Sequence, residues 1–318
     1  MATYKSIYAP IHDRARIIWS FLTILPLIGI VAAAALSTAP ALETLAALAG
    51  IVDDPADLRE YVKAQAPWVG DLIQLSPFIL FILYTFIWVI VGENRSLGTI
   101  GFTMRSWFSR YVRGFVSGVL FLLAVIGVIY YLGGYQVEAM LPVAAAANPL
   151  LPVGVIGLFL IGFIIQGAAE EVVFRGWWMS ALAARRGKAI ALGVTSVLFA
   201  LAHMGNVWPP TMESMIGVAN IVLFGLFIGL YALKEESLWG VCGWHSAWNW
   251  LLGLGFGLEV SGQGIGATPL IVDLADAEGA NTLITGGGFG PEASVVTTGV
   301  LMAGCLWFLM RGAMKPAG

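Results

Sequence analysis

Two adjacent glutamates and an arginine lie inside an apolar stretch of membrane-spanning length, FIIQGAAEEVVFRGWW, at Glu170, Glu171 and Arg175. An ionisable side chain costs about 3 kcal/mol at the centre of a spanning helix, and such groups commonly mark a substrate or ion pathway. A carboxylate can also serve as a general base toward water. The cluster is therefore a candidate site for acid–base chemistry or for proton transfer.

Two further apolar stretches supply imidazoles and an amide. The stretch LFALAHMG contains His203, and GWHSAWNW contains His245 and, four residues later, Asn249. An imidazole can share a proton with a carboxylate, and an amide can hydrogen-bond to a neighbouring helix. Together with the glutamates, these side chains form a catalytic inventory without an obvious cofactor.

Counting along each helix places the polar groups at one depth. Glu170, His203 and Asn249 each lie fifteen positions from a basic residue at the same end of their helices. At a rise of about 1.5 Å per residue, this separation is about 22 Å. The three basic residues are Arg185, Lys188 and Lys234. We therefore expect polar groups from three helices to meet in one layer within the bilayer.

The two glutamates are expected to have different roles. Adjacent residues of a helix point about 100° apart, so Glu170 and Glu171 face different directions. Glu171 and Arg175 have the favourable acid-first i,i+4 spacing of an ion pair, which leaves Glu170 as the freer carboxylate. The structural alternative is that this pair only stabilises the fold. The imidazoles and the amide would then be interhelical hydrogen-bond partners, worth about 0.6 kcal/mol each.

The composition is that of a polytopic membrane protein. Hydrophobic residues make up 59% of the 318 positions and charged residues only 11%, whereas charged residues approach about a quarter of a soluble domain. The net charge of -3 gives no support to nucleic-acid binding. Both cysteines lie inside apolar runs, so no disulfide framework is indicated. The sequence carries no feature that defines an oligomeric state.

Eight apolar runs have a length suited to crossing a bilayer. The first run is about 20 residues long, which favours a retained helix over a cleaved signal peptide. We predict an all-α polytopic membrane protein, a bundle of about eight transmembrane helices. It forms a single membrane domain over residues 1–318, with a motif-bearing catalytic core at 150–257. The runs are 17–36, 72–92, 111–133, 152–178, 189–206, 214–233, 238–257 and 295–312.

The distribution of lysine and arginine predicts the orientation in the membrane. An even number of spans places both termini on one side, and the basic connections on that side make it cytoplasmic. The extracytoplasmic loops are then 37–71 and 258–294, and the second ends in TGGGFGPEAS, which predicts a flexible turn. The expected location is the bacterial cytoplasmic (inner) membrane. The cytoplasmic bases include Arg95, Arg105, Arg110, Arg113, Arg185, Arg186, Lys188 and Lys234.

Three motifs occur in order on separate predicted helices. They are Glu-Glu-x-x-x-Arg at 170–175, Phe-x-x-x-His at 199–203 and His-x-x-x-Asn at 245–249. This ordered set resembles the CPBP family of intramembrane endopeptidases, which includes the CAAX proteases and the bacteriocin-processing or Abi proteins. The resemblance covers roughly residues 150–257.

The resemblance implies hydrolysis of a peptide bond in a cavity within the membrane. The implied substrate is a membrane-associated peptide or protein in the lipid bilayer. The roles carried over by matching position form three pairs. Glu170 and His203 activate the attacking water, His245 and Asn249 stabilise the oxyanion, and Glu171 and Arg175 orient and support the site.

The cofactor expectation is an enzyme that requires no metal. If zinc is bound, Glu170, His203 and His245 are its candidate ligands, with an open position for water. An amide such as Asn249 is a poor zinc ligand and a good oxyanion donor, and the HExxH motif is absent from the chain. We therefore favour a water activated by glutamate, with zinc as the alternative.

Two functions of other classes remain open from the sequence. The first is a proton-coupled membrane transporter, in which the glutamates and histidines relay protons. The chain lacks the inverted repeats that many transporters have. The second is a non-catalytic membrane scaffold or immunity protein that keeps the same residues for stability.

Overall fold

The computed structural model describes residues 67–207 and 211–314, together with isolated positions nearer the N-terminus such as Tyr8. The predicted first span at 17–36 and most of the predicted loop at 37–71 lie outside the described residues. Between 67 and 314 the chain is mostly helical. The helices are α1 (Pro67–Gln74), α2 (Pro77–Ile87), α3 (Trp107–Tyr131), α4 (Leu150–Glu171), α5 (Met179–Arg186), α6 (Lys188–Ala202), α7 (Met212–Glu235), α8 (Trp239–Trp250), α9 (Thr282–Thr285) and α10 (Val295–Met310).

Five helical segments of the described chain are long and apolar enough to cross a membrane. The predicted span at 238–257 corresponds to α8, a helix that is not among the five, and α10 is apolar but shorter. The predicted total of eight spans and the sidedness of the termini stay predictions. The five segments are Trp68–Gly92, Trp107–Tyr131, Leu150–Arg186, Lys188–Asn206 and Met212–Glu235.

Glycines bring α3 and α8 into backbone contact. A Cβ atom added at Gly114 would overlap the backbone of Gly240, and one added at Gly243 would overlap the carbonyl of Tyr111. Small residues at such positions allow two membrane helices to approach closely. Almost every residue of α8 is buried in consequence. This burial explains how a helix rich in tryptophan, histidine and asparagine lies at the centre of an apolar bundle.

A second close approach sets α8 against α4. A Cβ atom at Gly167 of α4 would lie 3.0 Å from the amide nitrogen of Ser246 and 3.3 Å from the Cβ of His245. The absence of a side chain at Gly167 lets the histidine-bearing turn of α8 lie directly on α4. This contact places His245 within reach of the glutamates that end α4.

The helix changes its hydrogen bonding directly after the glutamates. Residues Val172–Trp178 form a π-helical segment, a feature often found at functional sites. This segment is held by a buried network, in which the indole of Trp177 donates to Glu93 at 2.9 Å and Arg95 pairs with Glu93 at 2.8 Å. Arg95, which the sequence places among the cytoplasmic bases, is only 4% exposed and pairs with an acid two residues away.

Two segments predicted as loops pair as a small sheet. Strand β1 (Tyr135–Met140) pairs antiparallel with β2 (Val272–Asp276), with a bulge between Val137 and Ala139. The all-α prediction is therefore corrected for the connections at 134–150 and 258–294. The sequence YQVEAM alternates between polar and apolar residues, which is the period of a strand. The two strands have only six and five residues, and the alternation in such short segments is too weak to predict their pairing.

Candidate functional site

The three motif-bearing helices meet at a small cavity of about 40 Å³. A water molecule needs about 10–15 Å³ by this measure, so the cavity has room for two or three. Four of the six predicted site residues line it, whereas Glu171 and Arg175 lie behind its wall. The residues that line this cavity include Gln166, Glu170, Phe199, His203, Asn220, His245, Trp248, Asn249, Ser261 and Glu292.

His245 lies between the two adjacent glutamates. Its Nδ1 is 2.9 Å from Oε1 of Glu171, and its Nε2 is 3.5 Å from Oε2 of Glu170. A carboxylate can only accept a hydrogen bond when ionised, so the contact with Glu171 assigns the proton to Nδ1. The two glutamates therefore contact opposite nitrogens of one ring. This agrees with the prediction that they face different directions.

Behind His245, Glu171 forms the predicted ion pair with Arg175. Oε1 of Glu171 is 3.2 Å from Nη1 of Arg175, and both side chains are fully buried. The guanidinium carbon lies 4.2 Å from the ring centroid of Phe199, with Phe174 and Phe224 at 5.9 and 5.8 Å. A cation over an aromatic face is attracted by the ring's negative centre. Phe199, the first residue of the Phe-x-x-x-His motif, therefore covers the positive end of the ion pair.

Charge balance favours a protonated His245. Two ionised glutamates and one arginine carry one net negative charge, and a buried net charge is costly. Adding the proton to His245 makes the cluster of four neutral. The Nε2 of His245 then carries a hydrogen that points toward Glu170 and the cavity. The Nε2–H group of His245 is then a hydrogen-bond donor whose direction is fixed by the contact of Nδ1 with Glu171.

Gln166 is a site residue that the sequence reasoning missed. Its Nε2 donates to Oε1 of Glu170 at 2.8 Å, and its Oε1 accepts from Nδ2 of Asn249 at 2.9 Å. It thereby orients a carboxylate of α4 and an amide of α8 at once. The signal was present, because Gln166 is a polar residue in an apolar run, one turn before Glu170 on the same face.

His203 ends α6 and turns one nitrogen toward the cavity. Its Nδ1 lies 2.8 Å from the carbonyl oxygen of Phe199. A carbonyl can only accept, so Nδ1 carries a proton, and in the neutral ring Nε2 keeps its lone pair. In the described chain His203 makes no direct hydrogen bond to Glu170, yet both line the same cavity. A water molecule between them would contact both side chains.

A larger cavity of about 400 Å³ adjoins the small one. The two share Glu170, His203, Asn249 and Gln166 in their walls. Elsewhere the larger cavity is mainly apolar and aromatic, with a polar rim. The apolar wall includes Phe78, Phe81, Phe159, Phe163, Phe174 and Ile265, and the rim includes Asp71, Gln74 and Gln263.

The predicted zinc ligands do not form a metal site in the described part of the chain. No three or more histidine, cysteine, aspartate or glutamate side chains there are grouped so as to hold a metal ion. His245 contacts a carboxylate through each nitrogen, and the free thiol of Cys242 is buried within α8. The donor set of Glu170, His203 and His245 does not fit zinc in this arrangement.

Comparison with known proteins supports the same reading of the motifs. No curated protein and no solved structure matches the chain. One family model matches, over the segment that contains α4 to α8 and all three motifs. Residues 152–251 match the family described as type II CAAX prenyl endopeptidase Rce1-like, so this segment of the chain is similar to the CAAX proteases.

Proposed function

We propose that this protein is an intramembrane endopeptidase that hydrolyses a peptide bond of a membrane-associated peptide or protein. One observation carries the proposal. Oε2 of Glu170 is a buried carboxylate oxygen that makes no hydrogen bond among the described residues, and the group facing it is Nε2 of His245 at 3.5 Å. The side chain lines a water-sized cavity with both predicted imidazoles. A buried acceptor in this position is suited to hold and activate water.

The first step is attack by water on the substrate carbonyl. Water bound between Glu170 and His203 gives a proton to the carboxylate as its oxygen bonds to the carbonyl carbon. Gln166 holds Oε1 of Glu170, so the unpaired Oε2 faces the water. General-base catalysis of this kind contributes about 100- to 10,000-fold in rate.

Two donors stabilise the oxyanion that forms. The first is the Nε2 hydrogen of His245, which Glu171 orients through Nδ1. The second is Nδ2 of Asn249, which has two hydrogens and uses one toward Gln166. Donors held in place before the reaction lower the barrier because they need not reorganise. The proton held by Glu170 then passes to the leaving nitrogen as the carbon–nitrogen bond breaks.

The larger cavity suggests how a substrate is held. Its aromatic wall next to Glu170 and Asn249 suits an apolar side chain of the substrate, and burial there contributes about 25 cal/mol per Å² of apolar surface. The shared wall of the two cavities would place the scissile bond beside the water. We therefore propose a substrate with an apolar residue next to the cleaved bond.

The test is cleavage of quenched fluorescent peptides with apolar residues by purified protein in lipid vesicles. Glu170→Gln keeps the shape of the side chain but cannot accept the proton, so we expect activity to fall at least about 100-fold. Glu278→Gln is the control, because this glutamate is exposed and lines neither cavity. Unchanged cleavage by Glu170→Gln would refute the mechanism.

A chelator separates the metal-free mechanism from the zinc alternative. We expect full activity after extended treatment with the chelator, measured on the same peptides. Loss of activity that zinc restores would instead establish a metal enzyme.

A further inference from the structure

A third glutamate, Glu292, reaches the catalytic cavity from a segment predicted as a flexible turn. It lies in a short 3-10 turn, Pro291–Ala293, that directly precedes α10. The indole nitrogen of Trp248 donates to its Oε1 at 3.0 Å. Its Oε2 accepts from the backbone N–H of Ser261 at 2.5 Å and from the Ser261 hydroxyl at 3.2 Å. The carboxylate is thus held by α8 and by a second loop.

The backbone around Glu292 is also fixed. Nδ2 of Asn220, a buried residue of α7, donates to the carbonyl of Glu292 at 2.8 Å and to that of Ser294 at 2.9 Å. Oδ1 of the same amide accepts from Thr298 at 2.7 Å. Ser261 adopts a positive φ of 51°, unusual for a residue other than glycine. Strain of this kind persists where the surroundings require it, here to direct the N–H toward Glu292.

A peptide bond in this cavity needs both donors and an acceptor. Its carbonyl oxygen meets the donors of His245 and Asn249, but its N–H also loses water on entry. A buried N–H without an acceptor costs about 1–3 kcal/mol. Glu170 is engaged with the attacking water, and Oδ1 of Asn220 already accepts from Thr298. A further acceptor in the cavity wall would satisfy this N–H.

The carboxylate of Glu292 has one acceptor position left. An ionised carboxylate offers about four lone-pair positions. Trp248 uses one, and Ser261 uses two. The fourth lone-pair position of Glu292 is unused. Glu292 lines the same cavity as Glu170 and Asn249, so a substrate group in that cavity can donate to it.

We propose that Glu292 accepts the N–H of the scissile amide and holds the leaving nitrogen while the carbon–nitrogen bond breaks. This inference rests on the proposed function. The bonding electrons of the carbon–nitrogen bond go to nitrogen, which takes the proton that Glu170 received from water. Glu292 transfers no proton and acts as a positioning group for the leaving nitrogen.

The test compares an amide substrate with an ester of the same sequence, which has oxygen in place of the scissile N–H. Glu292→Gln keeps the length of the side chain but loses the charge of the acceptor. We expect kcat/KM for the amide to fall about 10- to 100-fold, the size of a hydrogen bond to a charged group. For the ester, we expect a change of less than about threefold, because the ester offers no hydrogen to Glu292.

The ester also reports whether the variant is folded. Equal losses on the amide and the ester would assign Glu292 a purely structural role and overturn the inference, while the proposed function would stand. Glu278→Gln, at an exposed position outside both cavities, is expected to cleave both substrates like the wild type. If the wild type cleaves neither substrate, the proposed function itself fails.

Discussion

Nδ2 of Asn249 donates a hydrogen bond to Oε1 of Gln166 at 2.9 Å, across the interface between α8 and α4. The same glutamine holds Glu170, so one neutral side chain links the proposed general base to an oxyanion donor. The distance between these two catalytic groups is thereby set without an added charge. In an apolar bundle, a neutral amide does this at a lower desolvation cost than an ion pair.

Gln166→Leu tests this link. The variant leaves Oε1 of Glu170 and Nδ2 of Asn249 without their shared partner, at a cost of about 1–3 kcal/mol for each buried group. We expect kcat to fall about 10- to 100-fold with little change in KM, since the groups act on the transition state. Steady-state kinetics on the amide peptide give both constants. An increase in KM at constant kcat would show that Gln166 only binds substrate.

Glu171→Gln separates support of the fold from support of catalysis. The variant leaves Arg175 as a buried charge without its carboxylate, which destabilises a protein by about 3–5 kcal/mol. We expect a lower thermal midpoint in detergent and a loss of cleavage. The double variant Glu171→Gln with Arg175→Met removes the stranded charge, so stability should recover while cleavage stays low. Recovery of both would show that the ion pair is structural only.

The glycine contact between α3 and α8 predicts that one added methyl group strongly lowers the stability of the fold. Gly114→Ala places a Cβ atom against the backbone of Gly240, where no side chain can move away. We expect a destabilisation of about 3 kcal/mol, at the upper end of overpacking costs. Gly127→Ala on the same helix is the matched control, because nothing lies within 4 Å of its added Cβ atom. Equal thermal midpoints for the two variants would contradict this packing.

The stability of segment 258–294 is expected to depend on pH because two of its carboxyl groups have raised pKa values. Burial raises the pKa of Glu292 against the opposing hydrogen bonds from Ser261 and Trp248. Burial also raises the pKa of Glu259, and the nearby Asp276 adds to the increase. A carboxyl group with a raised folded pKa favours folding most when protonated, below its unfolded value of about 4.3. That contribution is lost as pH rises through the folded pKa.

We therefore expect the amides of 258–294 to be more protected from hydrogen exchange at pH near 5 than at pH near 8, after correction for intrinsic rates. Glu259→Gln should reduce this dependence, because the amide does not titrate while Glu292 still does. Protection that is independent of pH in the wild type would contradict the prediction.

Much of the catalytic inventory was determined by the sequence alone. Helical periodicity relates Glu171 to Arg175 by one turn, and the 3.2 Å ion pair requires only that α4 continue into the following turn. The common depth of Glu170, His203 and Asn249 follows from a constant rise per residue, and all three line one cavity. These properties are local to single helices, so the order of residues is sufficient to predict them.

Only the tertiary structure decided which groups meet. The contacts of Gln166 with Asn249 and of Glu292 with Trp248 join residues 83 and 44 positions apart. Both depend on how far each helix is rotated and how closely it approaches its neighbour, which Gly167 and Gly243 control by lacking a side chain. The pairing of β1 with β2 likewise joins two distant connections. Periodicity along a chain carries no information about such rotations, so these contacts appear only once the packed bundle is seen.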